Sequence, residues 1–304
     1  MTTQILASNT TKTNKIKQLL ELGFTRKQVA ELMGVGYGFV QNVYAKHFST
    51  QTNARGNAKF KPTIFNRQFG VEIEAYNVTK AKLKKELVKL GIRVEIERYN
   101  HTTKTHWKII TDSSIRGSNG FEIVSPILKG QNGLEQLEKV CKALKNCNAY
   151  INKSCGLHIH FDASKFKLKQ FKNLILNYAD MESVIDTFLP NSRRASNNTY
   201  CKSIINHKSA IKNASTINEL TDSVPYRHSK LNTKSYVKYK TIEFRHHSGT
   251  VEFDKIQNWI LFLHNLVEYS SDKRVSQVNF ETLKTFNQPK VYAYLNNRKE
   301  ELAA

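Results

Sequence analysis

Five short stretches of the chain set carboxylates or imidazoles at alternate positions between aliphatic residues, and this pattern constrains the fold more than any other feature. They are RQFGVEIEAYNV from Arg67, HWKIITDSS with Asp112, GFEIVSPIL around Glu122, CGLHIHFDAS and YKTIEFRHHSGT. Successive side chains of a strand point to opposite faces. Glu72 and Glu74 therefore share one face, and Val71, Ile73 and Ala75 the other. By the same rule His158, His160 and Asp162 stand opposite Leu157, Ile159 and Phe161. Glu243, Arg245 and His247 stand opposite Ile242, Phe244 and His246.

One acidic residue in such a strand is ordinarily the solvated face of an antiparallel sheet. Five segments together do not fit that reading, because of the charge balance. The chain has 47 Lys and Arg against 25 Asp and Glu, a net charge of +22. A solvent-facing sheet in such a protein should show Lys and Thr. Clustered Glu, His and Asp point instead to a site that gathers Mg²⁺, which prefers carboxylate oxygens and tolerates an occasional imidazole. Arg245 beside Glu243 adds a rigid fork for a phosphate or carboxylate. The excess of positive charge also attracts polyanions, nucleic acid among them, although lysine filling exposed positions accounts for it equally well.

Three zones follow along the chain. Residues 12–47 are helical in pattern, and 51–64 are polar and weakly periodic, as a linker is. From residue 65 to about 275 strands mix with longer helices, and 276–304 holds one or two short helices with Pro289 near the first turn of the last. The stretch NLILNYADMESVIDTFL has apolar residues at helical spacing and reads as a core helix with its acids facing outward. Four cysteines without CxxC spacing are expected to be reduced thiols. No apolar run is long enough for a bilayer and the start lacks a signal-peptide core, so a cytoplasmic location and no membrane partner are expected.

The front segment LELGFTRKQVAELMGVGYGFVQNVYAKHF has Thr25 as a helix N-cap. Val29, Met33, Val35, Val40 and Val43 fall where two packed helices need apolar residues, and Ala30 and Gly34 fill the places that need a small residue and a left-handed turn. The segment resembles the helix-turn-helix family. Its second helix would turn Tyr37, Gln41, Asn42 and Lys46 toward DNA, helped by nine Lys and Arg against two acids over residues 1–64. A trihelical protein-contact or capping domain has the same packing, and Gly36 and Gly38 loosen the start of that helix.

The order GVEIE, ITDSSI, GFEIVSPIL, CGLHIHFD, SRR…YC, KLN and TIEFRHHSGT resembles the amidoligase family of carboxylate–amine ligases, over about residues 65–270. That family shares the fold of glutamine synthetase and γ-glutamylcysteine synthetase. The resemblance implies an α+β domain, a curved antiparallel sheet with flanking helices, behind the small all-α module of residues 1–50. It implies ATP and two or three Mg²⁺ ions (or Mn²⁺) as cofactors, and a carboxylate and an amine, on a peptide or protein among other choices, as substrates. Glu72, Glu74, Glu122, His158 and Glu243 then correspond to metal ligands. His160, Asn232 and Arg245 correspond to cofactor contacts, and Asp112, Arg193, Arg194 and Arg245 to catalytic groups. Asp112 would position or deprotonate the amine. His160 as a cross-sheet hydrogen-bonder and one of the two arginines as a surface charge are the plainer assignments, and His246 reads as structural.

Two other classes fit the same sequence. One is a DNA-binding regulator whose ligase-like domain senses a metabolite. The other is a nucleoprotein component, of phage origin and placed in the host cytoplasm or virion, in which charge matters and catalysis does not.

Overall fold

A computed structural model describes residues 2–22, 24–48 and 64–303. Nearly all of the expected linker, residues 51–63, lies outside them. The chain runs through helices α1 (Thr2–Ala7), α2 (Lys12–Glu21), α3 (Arg26–Met33) and α4 (Tyr37–Phe48) before strand β1 (Gln68–Ala75). Helix α5 (Lys80–Lys89), β2 (Val94–Ile96), β3 (Trp107–Ile110), β4 (Phe121–Val124) and β5 (Leu128–Lys129) follow. Next come α6 (Gly130–Asn146), β6 (Gly156–Asp162), α7 (Leu168–Asp186), α8 (Lys208–Asn213) and α9 (Ile217–Asp222). The chain ends with β7 (Leu231–Asn232), α10 (Lys234–Tyr239), β8 (Thr241–Ser248), α11 (Phe253–Ser270) and α12 (Pro289–Glu301).

Buried apolar residues of the described chain fall into two clusters. The smaller joins Ile16, Leu19, Leu20, Val29, Val40 and Val43 of the first helices. Thr25 caps α3 in a reciprocal capping box with Gln28, and Gly34 ends that helix at φ +59°, where the Val35 amide returns to the Ala30 carbonyl. The larger cluster takes the aliphatic faces of the strands together with α6, α7 and α11, and it includes Leu283, Phe286, Val291 and Leu295. The C-terminal helices therefore share the main core. Among the described residues no helix is long and apolar enough to cross a membrane.

The protein has a mixed α+β sheet in the order β2-β3-β4-β1-β6-β8-β7, with β5 also paired to β1. The expectation of an antiparallel sheet holds for every pair except β2 and β3, which run parallel. A parallel partner needs a connection that returns along the strand. Here residues 97–106 make that return without a helix.

The acids of α7 do not all face outward as expected. Glu182 is fully buried and Asp186 is largely so, because Lys230, also fully buried, reaches them with Nζ at 2.9 and 2.8 Å. A countercharge supplied from β7's approach is invisible to helical spacing alone. Buried ions persist only when paired and hydrogen-bonded in this way.

Candidate active site

Cross-strand pairing gathers the polar face into three rows. Ile110, Glu122 and Glu74 form the first. Lys108, Val124, Glu72 and His158 form the second. Gly70, His160, Glu243 and Asn232 form the third. All of them line one cavity of about 930 Å³. That is near the top of the roughly 300–1,000 Å³ range of small-molecule sites, room for more than one reactant.

The rows are held by short contacts. His158 places Nδ1 at 3.0 Å from Glu72 and Nε2 at 3.6 Å from Glu74. His160 Nε2 lies 3.3 Å from Glu72 and 3.9 Å from Glu243. Arg245 donates to Glu243 at 2.5 Å and Asn232 donates to the other oxygen at 2.6 Å. Asn232 is thus spent on orienting Glu243. The Gly156 amide donates to Glu74 at 2.7 Å.

Electrostatics divide the carboxylates. Against the upward push of burial, His158 and His160 hold Glu72 well below the usual carboxylate range. Burial likewise raises Glu243, and Arg245 and His160 overcome it. Glu122 has no such partner. Burial, then the charges of Glu72 and Glu74, push it well above the usual range. A packed set of buried acids with one forced to keep its proton is an arrangement that a cation relieves.

Three overlapping donor groups meet that description, each with ligand atoms within 4.8 Å of one another: Glu72, His160 and Glu243; Glu72, Glu122 and His158; Glu74, Asp112 and Glu122. Asp112 also accepts from the Ser114 amide and hydroxyl at 2.7 Å. Carboxylates with at most one imidazole per group form an oxygen-rich donor set that could hold a divalent cation.

The arginines separate. Arg193 is buried at the cavity wall and donates to the Cys155 carbonyl at 2.5 Å, and among the described residues its Nε has no partner. Arg194 lies outside the cavity lining and donates to the Leu189 carbonyl at 2.8 Å.

Strand β8 departs from simple alternation. Ile159 pairs with Phe244 but Leu157 pairs with His247, so the strand carries one extra residue at Arg245–His246. That bulge turns His247 away from Glu243 and Arg245, contrary to the expected shared face, and packs it on Trp259 with ring centroids 5.2 Å apart. His246 is structural, as expected. Its Nε2 is shared by Asp186 at 2.7 Å and the Arg193 carbonyl at 3.0 Å, while Tyr178 donates to Nδ1 at 2.8 Å.

The sequence of this wall matches the profile of a family described as "putative amidoligase enzyme" over residues 65–267, about two thirds of the chain. The chain belongs to that family. A search of curated proteins found no match. The matched span holds every residue of the three rows, and membership in this amidoligase family points to a ligase-type enzyme.

Several lining residues of this family member carry no sequence signal. Lys108 is buried and its Nζ donates to the Asn100 carbonyl, the Asn100 side chain and the Thr102 carbonyl at 2.8, 3.0 and 3.0 Å. It pins the return loop of the parallel pair as a wall of the cavity. Tyr99, His101, Arg227, His228 and Lys238 also line it. They come from loops and a short helix without periodicity, so only the folded chain brings them together.

The four residues expected to meet DNA lie on α4. Tyr37 and Asn42 are exposed, and Lys46 is exposed in the last turn. Gln41 is half-buried and accepts from Arg26 at 2.6 Å.

Proposed function

We propose that this protein is an ATP- and divalent-metal-dependent carboxylate–amine ligase on a glutamine synthetase-like sheet. The observation that carries the reading is the set of three overlapping carboxylate groups, two of them with an imidazole, on one sheet face beside Arg245 and Arg193. Residues 65–275 form its catalytic domain, behind a helical module of residues 1–50 and the linker 51–64, with 276–304 as a helical extension docked on the same core.

Glu72, Glu74, Glu122, His158, His160 and Glu243 would hold two or three Mg²⁺ ions. Bound there, the ions offset the repulsion between a carboxylate and a triphosphate and stabilise charge on the transferring phosphoryl group. The chain's own groups do the rest. With the tautomer that donates Nδ1–H to the Glu72 carboxylate, the lone pair of His158 Nε2 would be the one offered to a metal. Arg245, fixed by Glu243, and Arg193, buried in the cavity lining, would supply guanidinium N–H groups to the γ-phosphate. The substrate carboxylate oxygen attacks that phosphorus and ADP leaves. The amine nitrogen then attacks the acyl carbon, phosphate leaves, and Asp112 takes the amine proton.

The test is calorimetric titration with a non-hydrolysable ATP analogue. Binding should require Mg²⁺ and vanish with EDTA. Absence of binding by well-folded protein would remove the nucleotide from this reading.

A second reading concerns the front module. Exposed Tyr37, Asn42 and Lys46 on one helix, in a segment of net positive charge, support DNA targeting of the ligase. Because Gln41 is engaged by Arg26, Asn42→Ala should weaken duplex binding by full-length protein more than Gln41→Ala. Equal or absent effects would count against the assignment.

A further inference from the structure

Above the acidic floor, the mouth of the cavity carries a second chemistry. Arg227 and Lys238 are exposed there, and among the described residues neither has a carboxylate partner. Lys238 rests over the Tyr239 ring at 5.1 Å. Two imidazoles register these cations, His101 both of them and His228 Arg227 alone. Burial, then Lys238 and Arg227, push His101 below its ordinary value. Burial, then Arg245 and Arg227, do the same to His228.

These groups sit at opposite ends of the sheet in chain order, yet they meet. His101 belongs to the loop before β3, and Tyr239 closes α10 beside β7. Tyr239 Oη donates to the His101 carbonyl at 3.0 Å, so the two edges join across the polar face. Each imidazole is stacked edge-on against a tyrosine, His101 on Tyr99 at 4.9 Å and His228 on Tyr200 at 5.2 Å.

The rim is also apolar. Tyr99, Ile127 and Tyr200 are 56%, 61% and 48% exposed at the cavity edge, and Tyr226, beside Arg227, is 62% exposed. Exposed aromatics interleaved with arginine mark surfaces that bind macromolecules, and unpaired cations among them select an anionic partner.

We propose that this mouth is a docking site for an acidic peptide segment, with Arg227 and Lys238 receiving its carboxylates and the tyrosine rim its backbone and apolar atoms. The inference deepens the ligase reading by naming the class of the carboxylate substrate, and it rests on that reading for its purpose. Six carboxylates (Glu72, Glu74, Asp112, Glu122, Asp162 and Glu243) line the cavity, whereas Arg227 and Lys238, its exposed cations without a carboxylate partner among the described residues, are at the entrance. A free dicarboxylate would leave the exposed aromatic rim uncovered. A nucleic-acid backbone needs a longer basic track than two exposed cations.

The experiment is fluorescence anisotropy with a labelled hexaglutamate peptide and full-length protein, in Mg²⁺ and without nucleotide. The peptide should bind, and Arg227→Ala with Lys238→Ala should weaken it roughly tenfold or more, while ATP-analogue affinity measured separately stays unchanged. Both positions are exposed, so the variant should fold as the parent does. Unchanged peptide affinity in the variant overturns the proposal, as does competition by free glutamate or by oligothymidylate at the concentration at which unlabelled peptide competes. Loss of analogue affinity in the variant also overturns it, by reassigning the cations to the nucleotide. If the parent fails to bind the analogue, the ligase reading falls alone, because the peptide measurement contains no nucleotide.

Discussion

Glu72 and His158 are direct cross-strand partners, with the carboxylate Oε2 and the imidazole Nδ1 3.0 Å apart. Glu72 belongs to two of the three donor groups, as does Glu122, so each would be shared between neighbouring ion positions. The charge of Glu72 is maintained by His158 and His160 against burial.

Glu72→Gln keeps the size of the side chain, removes its charge, and takes from His158 its nearest anionic partner. Mg²⁺-dependent affinity for a non-hydrolysable ATP analogue should fall by about 10–100-fold, the range expected when metal-site groups are altered. Glu243→Gln should do the same, since it also frees Arg245. Calorimetry checks both, and parental affinity in the two variants would remove them from the metal site.

Glu122 predicts the opposite behaviour in the absence of metal. Its folded pKa is raised by burial and by Glu72 and Glu74. A raised acid costs stability as pH climbs above its unfolded value, because the unfolded chain releases the proton and the fold does not. Glu122→Gln removes that cost. At pH 8 in EDTA its melting temperature should exceed the parent's by about 2–4 °C, a change of roughly 1 kcal/mol, and the gain should fade toward pH 4. Added Mg²⁺ should stabilise the parent more than the variant. A variant less stable than the parent in EDTA would show that Glu122 is a needed hydrogen-bonding group and not a strained acid.

Asp186 illustrates a stabilising acid. Burial pushes it up, but bonds from His246 and Lys230 bring it from 3.8 down to about 2. A depressed acid stabilises the fold above its unfolded pKa and loses that contribution as pH falls through the folded one. The shift corresponds to about 2 kcal/mol at neutral pH. Asp186→Asn should cost about that much at pH 7, and the difference from the parent should shrink to roughly half by pH 3. Denaturant titrations across that window measure it. The variant should also loosen the Arg193 segment, since Asp186 accepts from the Ala195 amide at 2.8 Å while Ala195 holds φ +46°.

These residues show what can be read before folding. Alternation assigns the faces of β1, β4 and β6, because two-residue periodicity is a property of each strand alone. It places Glu72, Glu74, Glu122 and His158 on polar faces, although it is silent on which strands pair. It fails at Arg245–His246, where the extra residue of a bulge is defined only against β6. The burial of Lys230 is hidden for a similar reason. A lysine is the residue expected outside, and only Glu182 and Asp186 on a distant helix make its place in the core tolerable. The loop of Tyr99–Thr103 has no periodicity, and its position follows from the parallel β2–β3 pair and the anchor of Lys108.

Gly156 gives the sharpest test of the site's geometry. It opens β6, donates its amide to Glu74, and faces the polar cavity with no side chain. A Cβ at this position would lie 2.8 Å from His158 Nε2 and 3.5 Å from Glu74 Oε2. The first distance is below any normal contact, and Nε2 is the imidazole atom left free for a metal. The backbone there does not need glycine's left-handed freedom, since Gly156 is not among the positive-φ glycines. Gly156→Ala should therefore fold with the parent's secondary structure and a stability loss of about 1–3 kcal/mol from overpacking. Its Mg²⁺-dependent nucleotide affinity should drop by at least about tenfold, because His158 must turn away from the place the new methyl occupies. Circular dichroism and calorimetry on one preparation separate the two effects. Parental affinity in a folded Gly156→Ala protein would mean that His158 Nε2 is not a ligand, and the imidazole would then serve only to hold Glu72.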